Sequence, residues 1–490
     1  MTGPPTIDRT LRIPAFRRPV ADSAHTAGQP ARPLPDPGRS PLLRTWWTTA
    51  AVLAFGTALG LYGIETATGD RRYWPGLVLV PALGLAAVPV VRRIGERWAP
   101  GFDFAGIALV GLAARCVAAA YRLENGVDGV VYHQVGARLA ASFRQLDFSV
   151  DTGRQVPGTG SVRYVAGLVS VVANGSIVVE YLVFTTIAFG GLLCAYVAFA
   201  TAVPGGERRR YALLVLLWPS LVLWPSSMGK EALVTGAFGV AALGAARLYT
   251  HRPAGLTLLG TGTVGVLMIR PHVALLVALA TILGYVFVRS TAGSTVLSAT
   301  KLVTIIVLAV GGAVVVGQTA EFLRLENLGG EDVASVREAT TRQTAQGGGA
   351  FTPVRADSPA RYPAALVTVL FRPFPTEARS TEAIFSALEG VVLGVLVLAS
   401  WRRWLALPRQ LLTVPYVAFA LSIVLMFGYA FSVIANFGIL ARQRTQVLPY
   451  LFVLLAIPAR EPGTARDRPR GPQRRRRRAT VGTEPAPGPR

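Results

Sequence analysis

Charge is scarce in this chain of 490 residues: Asp, Glu, Lys and Arg make up only 15%, against about 25% in soluble domains. That excludes an ordinary soluble protein, which needs charge to cover its surface. Cysteine is nearly absent as well. Cys116 and Cys194 are the two present, both inside apolar stretches, which excludes a disulfide framework and a cysteine-based metal site. No HExxH, GKS/T loop, GxSxG elbow or EF-hand spacing occurs, so zincin, P-loop and serine-hydrolase readings have no support. The third shortage is lysine: Lys230 and Lys301 are the only two among 49 basic residues.

Apolar residues fill the space that charge leaves. AVILMFWYC residues reach 52%, glycine adds 51 residues, and the mean hydropathy is +0.45. A helical crossing needs about 20 mostly apolar residues. Runs long enough to span, or nearly so, are 46–64, 74–91, 104–121, 177–200, 211–224, 232–247, 255–269, 272–288, 302–322, 383–399, 411–434 and 447–458. The fold class is therefore all-α: a polytopic membrane protein of about twelve transmembrane helices. An even count puts both tails on one side. Residues 1–45 are Pro- and Arg-rich without a cleavable apolar core, and 459–490 are Arg-rich; both read as disordered basic tails around a helical domain at 46–458.

The net charge of +23 would suit nucleic acid, but its placement points to membrane topology instead. The tails carry +11 of it, the Arg474–Arg478 run included, and both flank hydrophobic spans. With both termini cytoplasmic, the short cytoplasmic loops are 92–103, 207–210, 247–253, 289–301 and 402–409. They hold thirteen Lys/Arg against three acids, whereas the opposite loops hold eighteen against fourteen. This is the positive-inside pattern of a plasma-membrane protein, with anionic lipid as partner of the basic tails and no nucleic acid.

Two long extracytoplasmic loops follow, at 122–163 and 323–382. In DGVVYHQVGARLAASF, Val131, Val135, Leu139 and Phe143 recur every four residues and predict an interfacial helix. Residues 162–173 are too short for a crossing and suit a surface or re-entrant helix. TAQGGGAFTPVRADSP reads as a mobile segment. The chain has no internal repeat and no separate soluble domain.

Most unusual polar motifs fall on the extracytoplasmic side. Asp128, Tyr132 and His133 lie in the first long loop, WPSSMGKE brings Lys230 and Glu231, and IRPH brings Arg270 and His272. FRPFPTEAR carries Arg372, and ARQR carries Arg442 and Arg444. Convergence of such groups at one end of a bundle is what a site requires. The cations suit a phosphate or diphosphate headgroup; alternatively each snorkels or pairs with Glu231, Glu377 or Glu382. Lys230 stands out because Arg serves almost everywhere else. Asp128 is a candidate general base for an acceptor hydroxyl or, alternatively, the N-cap of the interfacial helix. His133 is a ligand or an ordinary surface histidine.

At these residues the chain resembles the GT-C superfamily of integral-membrane glycosyltransferases, or a related lipid-linked polysaccharide polymerase. The likeness rests on DGVVYHQVGARLA, PSLVLWPSSMGKEAL and ARQRTQVLPYLFVLLA, and covers roughly residues 104–458. It implies sugar transfer from a polyprenyl-phosphate donor to an external glycan or protein acceptor in cell-envelope assembly. Asp128 would take the acceptor proton, and Lys230, Arg270, Arg372, Arg442 and Arg444 would hold the donor phosphate. The acidic loop here follows three spans rather than one. No acidic pair of DxD type accompanies Asp128, so no cofactor is called for and a divalent metal stays an open alternative. Two other readings compete: a transporter or flippase for a lipid-linked anion, and a non-catalytic scaffold using the tails.

Overall fold

A computed structural model describes residues 41–287, 299–323 and 330–459. Both expected tails, apart from residues 41–45 and 459, lie outside the described residues, as does most of the 289–301 loop. Within them the chain is all-helical; the one pairing outside helices is an isolated antiparallel bridge between Ala350 and Asn436. The first helices are α1 (Pro41–Ala67), α2 (Trp74–Trp98), α3 (Phe104–Asn125), α4 (Val127–Arg144), α5 (Thr159–Ala173) and α6 (Ile177–Ala202). Next come α7 (Arg208–Leu217), α8 (Pro219–Leu223), α9 (Lys230–Tyr249), α10 (Gly255–Ile269), α11 (Pro271–Val286), α12 (Ala299–Leu323) and α13 (Gly330–Thr344). The last are α14 (Tyr362–Phe371), α15 (Thr381–Ala399), α16 (Trp401–Trp404), α17 (Leu407–Thr413), α18 (Pro415–Phe431), α19 (Phe437–Arg444) and α20 (Leu448–Ala456).

Six helical stretches are long and apolar enough to cross a membrane: Trp46–Ala67, Arg71–Trp98, Phe104–Asn125, Ile177–Ala202, Lys230–Tyr249 and Thr381–Ala399. A seventh arises if α17 and α18, bent by 118° at Val414-Pro415, count as one. The expected twelve runs exceed this because several fold as helices too short to qualify, α10, α11 and α20 among them, and two, 211–224 and 411–434, are broken within. Proline supplies several of the breaks: it has no N–H to donate and biases the preceding residue toward extended backbone. Trp218, Arg270 and Val414, each before a proline, are extended at ψ 127°, 82° and 94°. Large apolar side chains face outward on several helices, among them Leu85, Val286, Leu388 and Leu398, which suits lipid contact.

The break between α7 and α8 is buried, so its freed backbone groups need partners. Arg115, fully buried in α3, donates to the carbonyls of Gly111 (2.8 Å), Leu216 (2.7 Å) and Leu221 (3.3 Å). From the other side Glu389 of α15 accepts from the Ser220 hydroxyl at 2.6 Å and from the Trp218 indole. Two charged side chains thus hold one broken helix.

Helix α9 is clamped between α6 and α10 by glycine. A Cβ on Gly239 would stand 1.8 Å from the Gly191 carbonyl oxygen, and one on Gly262 would stand 2.3 Å from the Ala241 nitrogen. Small residues permit such backbone approach where lipid offers no hydrophobic drive.

The expected interfacial helix is α4. Val135, Leu139 and Phe143 form its buried face against Val150, Tyr164 and Val171, while Val131 is left 43% exposed. Its partner α5, too short to cross by itself, lies along it. TAQGGGAFTPVRADSP is tied down: Phe351 donates to the Ala435 carbonyl at 2.9 Å and stacks on Phe437 at 4.3 Å.

Contacts sort the loops into two ends. At one, Arg97 and Arg252 sit over the Trp98 ring, and the Trp98 carbonyl accepts from Arg208 at 3.3 Å. Nearby loops join them: Arg210 donates to the Ser400 hydroxyl at 2.7 Å, and Arg403 bonds Glu207 and the Ile457 carbonyl. At the other end Tyr73 donates to Glu124 at 2.5 Å, and the Gly158 N–H meets the Met268 carbonyl at 2.9 Å.

Candidate functional site

At that second end, α3 finishes where α4 begins, joined by Gly126 in extended conformation at φ −113° and ψ 110°. This corner puts Arg122 in the last turn of α3 and Asp128 in the first turn of α4. Asp128 is not the helix N-cap; Gly126 holds that position. Gly129 is required by packing, since a Cβ there would stand 1.9 Å from the Tyr181 hydroxyl. The loop after α8 brings Trp224, and Lys230 and Glu231 open α9, where a carboxylate suits the helix N-terminus. Arg270 fills the α10–α11 break, and Arg442 ends α19.

These elements form an open cleft lined by Arg122, Asp128, Tyr181, Trp224, Glu231 and Arg442, among others. Arg442 donates to Asp128 at 2.8 Å, and Arg270, 5% exposed, donates to Glu231 at 2.9 Å. The Trp224 ring carries two guanidinium groups, Arg122 at 5.0 Å and Arg442 at 5.2 Å from its centre. Tyr132 is buried beside them; burial first, then the Glu231 and Asp128 carboxylates, push its phenol up to about 12. Lys230 is half-buried, and among the described residues it makes neither a hydrogen bond nor an ion pair, although Arg270, Glu231 and Asp128 reach it electrostatically.

Six of the ten residues singled out from sequence therefore converge: Asp128, Tyr132, Lys230, Glu231, Arg270 and Arg442. His133 turns instead to the fully buried Glu180 at 2.8 Å, joining α4 to α6. His272 packs between Phe322 and Phe431, with ring centres 6.2 and 6.0 Å away. Arg372 is spent on Glu377 at 2.5 Å and on the Thr352 carbonyl at 3.1 Å, with its guanidinium 4.5 Å from the centre of the Phe351 ring. Arg444 is buried and donates to the carbonyls of Leu370 (2.9 Å) and Arg372 (3.1 Å), closing the end of α14. The pairing alternative thus describes Arg270 and Arg372.

Arg122, Tyr181 and Trp224 belong to the cleft without having been singled out. Arg122 has a signal in hindsight: it lies seven residues after Arg115, two turns along the same apolar helix. Among the described residues no three His, Cys, Asp or Glu side chains are grouped to hold a metal ion. No family model, curated protein or solved structure matches the chain.

Proposed function

We propose that the protein is a membrane-embedded glycosyltransferase of GT-C type, moving a sugar from a polyprenyl-phosphate donor to an external hydroxyl acceptor on a glycan or protein. The observation that carries this reading is one cleft, at the end of an apolar helical bundle, in which a carboxylate, Asp128, meets a group of cations, two of which, Arg122 and Lys230, have no hydrogen-bond partner among the described residues. The acceptor oxygen attacks the anomeric carbon, and the bond from that carbon to the phosphate oxygen breaks. Asp128 takes the hydroxyl proton. Lys230, Arg122 and Arg442 hold the departing lipid phosphate and stabilise the charge it gains. Arg270 and Glu231 keep the start of α9 in place, and Tyr132 lies beneath them as a neutral hydroxyl.

The proposed topology has twelve crossings, with α7 and α8 as one broken span, and both termini on the side of the basic loops. It is supported by the sorting of loops: those around Arg97, Arg208, Arg252 and Arg403 meet at the end opposite the cleft. By the positive-inside rule that end is cytoplasmic, and the cleft opens outside the plasma membrane.

Proteoliposomes given a radiolabelled polyprenyl-phosphate sugar and a hydroxyl acceptor test the reading. Wild type should move label to the acceptor; Lys230→Ala and Asp128→Asn, correctly inserted, should not. Retained transfer in both variants would sink it. The flippase reading draws on a different observation, the broken span held by buried Arg115 and Glu389. It requires label to cross the bilayer unchanged.

A further inference from the structure

Arg122 is the least explained side chain in the molecule. It is 6% exposed, lines the cleft, and among the described residues its guanidinium donates no hydrogen bond; its Nε is buried and unpartnered. Buried donors are normally paired. Its one close neighbour of note is the Trp224 ring, which it shares with Arg442. Two like charges on one aromatic ring repel each other, and Arg442 reaches Arg122 electrostatically. A second buried donor, Nη1 of Arg270, is also unpartnered, and Lys230 adds a fourth cation. Against these stand Asp128 and Glu231, with Glu382 acting on Arg122 from an exposed position on α15. Glu231 is committed to Arg270. Cationic capacity in the cleft therefore exceeds what the protein's own carboxylates use.

The Asp128–Arg442 pair has the opposite character. Its side chains are 60% and 36% exposed, so water screens it and either partner can leave. The donor that Asp128 occupies belongs to a fork whose natural complement is a phosphate.

We infer that Asp128 is an internal stand-in for an anionic ligand: a phosphate ester enters against Arg122, Lys230 and Arg442 over the Trp224 ring, takes Arg442 from Asp128, and thereby frees that carboxylate. This rests on the glycosyltransferase reading for what the phosphate carries and for what the freed carboxylate does. It goes further by making phosphate binding precede the availability of the base. An acceptor hydroxyl arriving first would find Asp128 engaged, so acceptor deprotonation has no route in the empty site.

The test is a binding cycle on the full chain in lipid nanodiscs, with farnesyl phosphate as the lipid-borne probe and inorganic phosphate as the soluble one. Removing the competitor by Asp128→Asn should tighten phosphate binding about two- to five-fold, the range set by an exposed ion pair. Loss of a negative charge near an anion site tightens binding by simple repulsion too, so the deciding arm is Arg442→Ala. In that background only the repulsion remains, so Asp128→Asn should tighten binding by clearly less than it does with Arg442 present. Equal tightening with and without Arg442 overturns the inference, as does failure of the wild type to bind either probe. If Arg442→Ala does not insert, Arg442→Gln closes the same cycle. Arg122→Ala should weaken binding at least ten-fold while leaving the thermal midpoint of the empty protein unchanged or raised, because an unpaired buried cation is removed; unchanged binding overturns the inference. Farnesyl phosphate binding without inorganic phosphate binding marks a lipid headgroup as the source, and comparable binding of both marks a soluble phosphate. Transfer activity is measured separately. A cycle that holds without sugar transfer removes the glycosyltransferase reading and leaves the phosphate site standing.

Discussion

Gly190 and Gly191 are neighbours on α6, yet alanine should act on them in opposite directions. A Cβ on Gly190 would meet nothing within 4 Å, whereas one on Gly191 would stand 2.4 Å from the Thr235 carbonyl oxygen and 2.5 Å from the Gly236 Cα. Both obstacles are backbone, so no rotamer change relieves them. Restoring ordinary contact means parting α6 and α9 by roughly 1 Å, enough to forfeit a quarter to a half of the dispersion attraction across the seam. Overpacking of this kind costs about 1–3 kcal/mol. Replacing glycine by alanine inside a helix gains at most about 1 kcal/mol, and less where the denatured chain in detergent stays helical. Gly190→Ala should therefore be neutral to about 1 kcal/mol stabilising, and Gly191→Ala destabilising by about 1–2 kcal/mol net. Reversible unfolding in mixed micelles, followed by tryptophan fluorescence, measures both. Because α9 begins with Lys230, Gly191→Ala should also weaken phosphate-probe binding. Equal shifts for the two variants, or a destabilised Gly190→Ala beside a neutral Gly191→Ala, would refute the glycine clamp.

Arg115→Met should destabilise by about 2–4 kcal/mol, since it strips the buried carbonyls of Leu216 and Leu221 of their donor; the same micelle titration reads it, and a neutral result would show the break to be held otherwise. Glu377 titrates below its ordinary 4.5: burial opposes ionisation, but the Arg372 guanidinium and the Phe374 N–H outweigh it. Its stabilising contribution is full above about pH 4.5 and fades as pH falls through the lowered folded value. Wild type should thus lose stability to acid below pH 4.5 faster than Glu377→Gln does, and parallel acid profiles would remove the pair from the account. Trp224→Leu should lower phosphate-probe affinity, because the ring positions two guanidiniums, and should also lower the unfolding midpoint, because the ring is buried; normal binding would argue against the ring's place in the site.

Which parts of this architecture could be read from sequence follows from the range of the forces involved. Four-residue spacing is local, so Val135, Leu139 and Phe143 announced α4 and its buried face. Val131, nearer the start of the helix, departs from the stripe and is left exposed. Positive-inside counting is also local to each loop, and four of the loops so grouped, 92–103, 207–210, 247–253 and 402–409, are linked by contacts around Trp98 and Glu207. Span counting is different. Hydropathy sums a run whether or not it bends, so Trp218-Pro219 and Val414-Pro415 pass unnoticed within apolar text. TAQGGGAFTPVRADSP has the composition of a mobile segment, but its order comes from partners some 80 residues away, Ala435 and Phe437. The same limit governed the site. Motif position brought Lys230, Arg270 and Arg442 to one end; it could not say that Arg372 is spent on Glu377 five residues on, or that Arg444 closes α14.

Arginine serves different ends at the two faces of the bundle. At the basic end its donors are discharged into nearby backbone, as Arg208 into the Trp98 carbonyl and Arg403 into that of Ile457, or its charge is left to solvent. In the proposed topology such residues fix orientation, and any cation in the loop would serve. At the cleft end, extracytoplasmic in the proposed topology, the positive-inside rule gives arginine nothing, and burial penalises it. Among the described residues Arg122 and Lys230 nevertheless stay there without hydrogen-bond partners, while Asp128 and Glu231 are taken by Arg442 and Arg270. A chain could lower that cost with one more Asp or Glu. Such a residue would also fill the place where an anion could bind, as Asp128 does, and more firmly for being buried. The arrangement is coherent only if the missing negative charge arrives from outside, and if Asp128, the carboxylate on Arg442, is exposed enough to be moved aside.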